Sequence, residues 1–181
     1  MMEFQLLGDF QVWHDGGQLD LGGRKQKCVL AVLLRHPRQV VSTKRIVACD
    51  TELGTVQRLT GDIPGATDAL TQALDTYREF GDSGNTAWAL NHYAATTAAS
   101  GDPTRALAHY REALAMNRKL NKPDDEAIAL EGIGTCLQAT GDTPSSVTYV
   151  TQALKIYQRL GMQSDTSRIQ TYLDGLINQY E

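Results

Sequence analysis

The stretch that decides the fold occurs three times. Residues 61–74, 101–114 and 141–154 read GDIPGATDALTQAL, GDPTRALAHYREAL and GDTPSSVTYVTQAL. Each copy begins with Gly-Asp and ends with Ala-Leu, and the copies are forty residues apart without insertion or deletion. A fixed period of roughly 20 to 50 residues is typical of a solenoid, in which each unit buries its apolar face only against its neighbours. The sequence therefore predicts a stack of repeats for most of the chain.

Each forty-residue unit has the pattern of a helical hairpin. In the second unit, Thr86–Ser100 is the predicted first helix and Pro103–Leu120 the predicted second helix, with Gly101-Asp102 as the turn. The Asp after each such glycine can accept hydrogen bonds from the unpaired amides that begin the second helix. Small residues where the paired helices approach closely are Gly54, Ala94 and Gly134. Residues that tolerate left-handed geometry close the units at Gly81, Asn121 and Gly161.

This order of small and large residues resembles the tetratricopeptide repeat, in its forty-residue form, over residues 46–162. The resemblance implies three helical hairpins, and apolar residues at helical spacing predict that residues 163–181 form a helix that caps the last unit. The predicted fold class is therefore mainly α. It is a tetratricopeptide-type α-solenoid of three hairpins and a capping helix, with a small β-hairpin and helix head, a partial winged helix, at residues 1–48.

The resemblance also implies a binding surface. The family uses the concave face, lined by the first helices, to hold a peptide or a helix of a partner. By position, the groove candidates are Thr51, Thr55, Arg58, Asn91, Ala95, Ala98, Glu131, Thr135 and Gln138. Only Arg58 and Glu131 among them carry a charge, so no convergent set of cations for binding a carboxylate is visible. For each single residue, an ordinary solvated surface remains the alternative.

The head begins with strand-like sequence. Phe4–Trp13 alternates apolar and polar residues and predicts one strand with a kink at Gly8. His14–Gly17 contains the Asp-Gly pair of a hairpin turn, and Gln18–Leu21 is a short returning strand. The apolar pattern of Arg24–His36 then predicts a helix.

The sequence LGGRKQK at 21–27, together with the helix after it and Val40-Val41-Ser42, carries a second resemblance. It is similar to the start of the winged-helix DNA-binding domain in the Streptomyces antibiotic regulatory protein (SARP) family, including its large multidomain AfsR-like relatives. The match covers about 45 residues. It implies that basic residues of the head contact DNA phosphates, namely Arg24, Lys25, Lys27, Lys44 and Arg45.

The chain departs from that family after its second helix. Residues 46–50 lead directly into the Leu53-Gly54 repeat motif, which leaves no room for a recognition helix and wing. Helix-turn-helix proteins read bases with the second helix of the motif. We therefore expect one unbroken helix from near Ser42 to about Thr60 and impaired sequence-specific DNA binding. The alternative is a DNA-binding regulator whose head still functions.

The charges are unevenly distributed along the chain, with a basic head that is compatible with a nucleic-acid contact, and motifs for catalysis are absent. Residues 1–50 carry seven Lys and Arg against five acids, and the rest of the chain carries ten against sixteen. The sequence lacks the G-x-S-x-G, phosphate-loop and G-x-G-x-x-G motifs. Its three cysteines show no C-x-x-C spacing. No secretory signal or long apolar run is present.

These observations predict a cytoplasmic protein that is not an enzyme and has no cofactor, metal site or membrane contact. The predicted function is a protein–protein interaction module of a SARP/AfsR-like transcriptional regulator, which binds a protein or peptide in the groove. Self-association through an uncovered end of the solenoid is left open, as is a DNA contact through the head.

Overall fold

The computed structural model describes residues 2–5, 11–14, 17–18 and 43–178, and it describes side chains from Asp50 to Asn178. The chain forms two compact units, Met1–Asp50 and Thr51–Glu181. The three strands described in the first unit are β1 (Met2–Gln5), β2 (Gln11–His14) and β3 (Gly17–Gln18). They form an antiparallel sheet in the order β1-β2-β3, with Met2 opposite His14.

The prediction of one strand over Phe4–Trp13 is wrong, because β1 and β2 are separate strands that pair with each other. Alternation of apolar and polar residues has the same period in one long strand and in both arms of a hairpin. Gly8-Asp9, interpreted above as a kink, is also a sequence typical of turns. The predicted helix at 24–36 and the residues Arg24, Lys25 and Lys27 lie outside the described residues. So do the side chains of Lys44 and Arg45.

Seven helices follow one another over residues 43–178. They are α1 (Thr43–Leu59), α2 (Ile63–Glu79), α3 (Ser83–Ala99), α4 (Pro103–Lys119), α5 (Pro123–Ala139), α6 (Thr143–Leu160) and α7 (Gln163–Asn178). The continuous α1 confirms the unbroken helix predicted from near Ser42 to about Thr60. The first helix of the second forty-residue repeat, α3, begins at Ser83, before the predicted Thr86, because the Asp82 carboxylate accepts a hydrogen bond from the Asn85 amide.

The predicted caps of the second helices are confirmed. The carboxylates of Asp62, Asp102 and Asp142 accept hydrogen bonds of 3.1, 2.9 and 3.2 Å from the amides three residues later. Asn121 adopts a left-handed φ of 53° at the end of its unit, as predicted. Because each turn is closed in the same way, successive hairpins keep one register.

The core lies between helices that approach closely at small residues. An added Cβ at Gly134 would lie 2.5 Å from Val150 Cγ2 and 3.3 Å from the Ser146 carbonyl oxygen, so only glycine allows this packing of α5 on α6. A Cβ added at Gly54 would likewise lie 2.7 Å from Leu70 Cγ. Each hairpin packs on the next, and α7 packs on α6 and buries Ile169, Leu173 and Leu176. The second unit is therefore a solenoid of helical hairpins.

Candidate functional site

Within the second unit, the first helices of the hairpins line a cavity of about 460 Å³. Helices α1, α3 and α5 contribute most of its described lining, and α7 contributes Asp165 and Arg168. Tyr110 of α4 and Tyr157 of α6 also line the cavity. The ring of Tyr110 contacts Gly132 so closely that a Cβ there would overlap it. Because position 132 has no side chain, the Tyr110 ring packs directly against the α5 backbone in the cavity wall.

Six of the nine groove candidates line this cavity: Arg58, Asn91, Ala95, Ala98, Glu131 and Thr135. The other three do not. Thr51 is fully buried, and Gln138 is half-buried. The Thr55 hydroxyl donates a hydrogen bond to the Thr51 carbonyl oxygen. The structure thus brings two thirds of the predicted set together, and a role of these residues in binding stays a prediction.

A network of hydrogen bonds joins three helices at one side of the cavity. The Arg168 guanidinium donates to both oxygens of Glu131, from Nη1 at 2.6 Å and from Nη2 at 2.9 Å. It also donates to Asp165 at 2.9 Å, and the Tyr157 hydroxyl donates to Glu131 at 3.1 Å. Burial and the Glu131 charge raise the pKa of Tyr157, so this hydroxyl keeps its proton. Both oxygens of the Glu131 carboxylate therefore already accept hydrogen bonds from residues of α6 and α7.

Sequence reasoning missed Arg168 and Asp165, because both lie beyond the third repeat in the helix interpreted only as a cap. A usable signal was present. Arg168 follows Ile128 by forty residues, and Ile128 lines the same cavity. Extending the repeat register into α7 would have placed Arg168 on the concave face.

At the opposite side, Arg58 of α1 has unused hydrogen-bonding capacity. Its Nε is buried and has no hydrogen-bond partner among the described residues. The same holds for Oδ1 of the buried Asn91 on α3, whose Nδ2 donates to the Asp125 carbonyl oxygen at 3.0 Å. Buried polar groups are nearly always paired, so each of these two atoms calls for an explanation.

His92 lies beside these groups and is neutral near pH 7. Burial, followed by the charge of Arg58, lowers its pKa to about 4. Its Nδ1 is 3.0 Å from the Thr55 hydroxyl, which donates its hydrogen to the Thr51 carbonyl oxygen. Since a hydroxyl has one hydrogen, His92 Nδ1 must be the donor to Thr55, and Nε2 is left as an acceptor. The cavity thus offers a cation at Arg58 and neutral acceptors at Asn91 and His92.

Two kinds of feature are absent from the part of the chain that the structure describes. No three His, Cys, Asp or Glu side chains there form a group that would hold a metal ion. None of the described helices has the length and apolar character needed to cross a lipid bilayer.

The fold and the cavity define the class of protein, an α-solenoid of helical hairpins with a concave face. The family model described as tetratricopeptide repeat matches residues 47–119 and 85–159, which together make up more than half of the chain. The chain therefore belongs to the tetratricopeptide repeat family. Because the matched region begins at residue 47, it does not test the winged-helix prediction for the head.

Solved structures agree on the fold. BtubC (BKLC) from P. vanneervenii is 19% identical with a TM-score of 0.68, and the match covers 83% of this chain and 63% of that one. A Rap protein complexed with Competence and Sporulation Factor is 18% identical with a TM-score of 0.67, and the match covers 78% and 42%. SycD, a type III secretion translocator chaperone of Yersinia enterocolitica, is 16% identical with a TM-score of 0.59, and the match covers 88% and 97%.

At these identities the likeness shows the fold alone. The chain spans less than two thirds of BtubC and less than half of the Rap protein. A search among curated proteins returned no match.

Proposed function

We propose that the second unit binds a peptide segment of a partner protein in its concave cavity and catalyses no reaction. The observation that carries this proposal is the cavity itself, which is lined by the first helix of every hairpin and by α7. A volume of about 460 Å³ matches the usual range of ligand sites, roughly 300 to 1,000 Å³.

The polar groups of the cavity favour a ligand that can both accept and donate hydrogen bonds. Arg58 Nε requires an acceptor and Asn91 Oδ1 requires a donor. Leaving such a buried group without a partner costs about 1 to 3 kcal/mol, and a ligand that supplies both partners recovers that cost. The main chain of a peptide carries both kinds of group in every residue except proline.

The comparisons add support by analogy. The Rap protein of similar fold was solved in complex with Competence and Sporulation Factor, and SycD is a chaperone. Binding by the present chain rests on its own cavity.

We place this module in a transcriptional regulator of the SARP/AfsR type that works in the cytoplasm. The support is the sequence from Phe4 to Val47, in particular LGGRKQK at 21–27. Sequence-specific DNA binding is impaired in this proposal because the chain enters the repeats at the point where a recognition helix would follow.

A second candidate function, DNA binding through the head, is favoured by Arg24, Lys25, Lys27, Lys44 and Arg45. Fluorescence anisotropy with duplex DNA decides between them, since nanomolar specific binding lost on Arg24/Lys25/Lys27→Ala would establish the second.

Peptide binding is tested by selecting random peptides, displayed on phage, against the purified chain. We expect reproducible enrichment, and we expect the selected peptides to lose binding to Ala95→Trp, which fills the cavity. Ala108→Trp is the matched control, because Ala108 is exposed on α4 outside the cavity lining. Thermal unfolding monitored by circular dichroism shows whether each variant is folded. No enrichment, or equal binding to Ala95→Trp and wild type, would overturn the proposal.

A further inference from the structure

We propose that the cavity recognises a neutral primary carboxamide, the side chain of a glutamine or asparagine in the bound peptide. This inference rests on the proposed peptide binding and adds the chemistry of one group of the ligand. It starts from three side chains of α1 and α3 that line the same cavity, Arg58, Asn91 and His92. Their hydrogen-bonding atoms form a pattern that few chemical groups can match.

Contacts within the protein determine which of these atoms donate and which accept. Asn91 Nδ2 donates to the Asp125 carbonyl oxygen at 3.0 Å, and Oδ1 is left as a buried acceptor without a partner among the described residues. His92 Nδ1 donates to the Thr55 hydroxyl at 3.0 Å, so the lone pair of the ring lies on Nε2. Arg58 Nε can only donate, and it is likewise buried without a described partner. The set is therefore one donor and two acceptors.

A primary carboxamide has the complementary set, one acceptor oxygen and two N–H hydrogens. Its oxygen accepts from Arg58 Nε, and its two hydrogens pair with Asn91 Oδ1 and His92 Nε2. A main-chain amide or a hydroxyl has a single hydrogen and would leave one of the two acceptors unpaired. Because a buried polar group without a partner is unfavourable, a site of this kind discriminates against ligands that lack one of the bonds.

Charged side chains of a peptide match the three atoms less well. A carboxylate has no hydrogen to donate, so its pairing with Arg58 would bring its oxygens against the lone pairs of Asn91 and His92. An ammonium or guanidinium group offers no acceptor to Arg58 and carries the same charge. The two acids in the described lining do not attract such a cation, because both already pair with Arg168. The arrangement therefore favours a neutral group.

The test uses a soluble random heptapeptide library that is acetylated at the N-terminus and closed by an N-methylamide at the C-terminus. Its only primary carboxamides are then the side chains of Asn and Gln. After affinity capture on wild type, we expect Asn or Gln at one fixed position of the bound peptides. Replacing a selected glutamine by glutamate or by methionine, which have similar shapes, should each weaken binding about ten- to a hundredfold in fluorescence anisotropy.

Two variants assign the preference to the protein. Arg58→Met removes the donor and His92→Phe removes the Nε2 acceptor, and each should abolish most of the preference for the glutamine peptide over its methionine analogue. Arg111→Met is the matched control and should keep the preference, since Arg111 is exposed on α4 outside the cavity lining. Circular dichroism melts show whether each variant is folded, and the wild-type peptide series decides alone if the variants are not.

The outcomes separate this inference from the proposed function. If no peptide is enriched, peptide binding fails and the inference fails with it. If peptides are enriched without Asn or Gln at a fixed position, peptide binding stands and the carboxamide assignment is overturned. Equal affinity of wild type for the glutamine and glutamate peptides would overturn it as well, and so would an unchanged preference in a folded Arg58→Met.

Discussion

Arg168 in α7 forms a bidentate ion pair with Glu131 in α5, with N–O distances of 2.6 and 2.9 Å. The pair joins two helices that are separated in sequence by the whole of α6. Tyr157 adds a bond from α6 to the same carboxylate. The last hairpin and α7 are therefore connected by polar contacts on the concave side and by Ile169, Leu173 and Leu176 in the core. Loss of either charge should loosen α7.

We expect Glu131→Gln and Arg168→Gln each to lower the free energy of unfolding by about 1 kcal/mol, because the Arg168 side chain is half-exposed and water screens the pair. Urea unfolding of the two single variants and the double variant gives the coupling energy, which should be favourable and should shrink in 1 M salt. Lys155→Gln, an exposed change on α6, serves as the control. A coupling energy of zero at low salt would show that the pair does not hold α7.

Gly132→Ala tests the packing of Tyr110 beneath the cavity. The new methyl group would overlap the Tyr110 ring, so either the ring or α5 must move. Overpacking of this kind typically costs about 1 to 3 kcal/mol, and it should do so here despite the better helix propensity of alanine. Gly175→Ala in α7 is the control, since nothing lies within 4 Å of the added carbon. It should stabilise the protein by up to about 1 kcal/mol. Equal effects of the two substitutions in thermal unfolding would contradict the packing argument.

The repeat register explains how much of the fold was predictable. Because the copies are forty residues apart without slippage, helix ends, caps and close contacts such as Gly134 on Val150 follow from one unit to the next. The same register placed Asn91 and Glu131 on the cavity wall. The position of a residue within a repeat does not, however, predict how deeply its side chain is buried. Thr51 occupies the equivalent position in the first hairpin and is fully buried.

The pairing of the charged side chains in the cavity could not be predicted from the sequence. The register shows that Arg58 and Glu131 share a concave face, but it does not show that Arg168 occupies the Glu131 carboxylate. The pairing of Arg168 with Glu131 depends on the directions of two side chains that are thirty-seven residues apart and lie on different helices. For the same reason, a buried Arg58 Nε without a partner becomes visible only in three dimensions.

The cap of α5 differs from that of its neighbours. Lys122 occupies the N-cap position and makes no capping hydrogen bond, whereas Asp102 caps α4 at 2.9 Å. We expect Asp102→Ala to destabilise the protein by about 1 kcal/mol and Lys122→Asn to stabilise it by up to that amount. The gain at Lys122 is reduced by loss of its 3.6 Å ion pair with Asp125. Urea unfolding measures both changes, and a destabilising Lys122→Asn would mean that the ion pair outweighs a cap.

His92 should make stability depend on pH in the mildly acidic range. Its pKa is lowered from 6.5 to about 4 in the folded protein, first by burial and then by Arg58. The unfolded chain therefore takes up a proton below about pH 6.5, while the folded chain does not until about pH 4. Stability is fully present above pH 6.5 and is lost as the pH falls towards 4. Between pH 7 and pH 5 the loss from this one group amounts to about 2 kcal/mol.

His92→Gln removes the titrating ring and keeps a donor for Thr55. The free energy of unfolding of the variant should fall less than that of wild type over the same pH interval, and other titrating groups cancel because both proteins contain them. His109→Gln should act in the same direction, since burial also lowers the pKa of His109. Urea titrations at pH 7, 6 and 5 measure the difference. Parallel curves for wild type and His92→Gln would mean that His92 is solvated and not held neutral against Arg58.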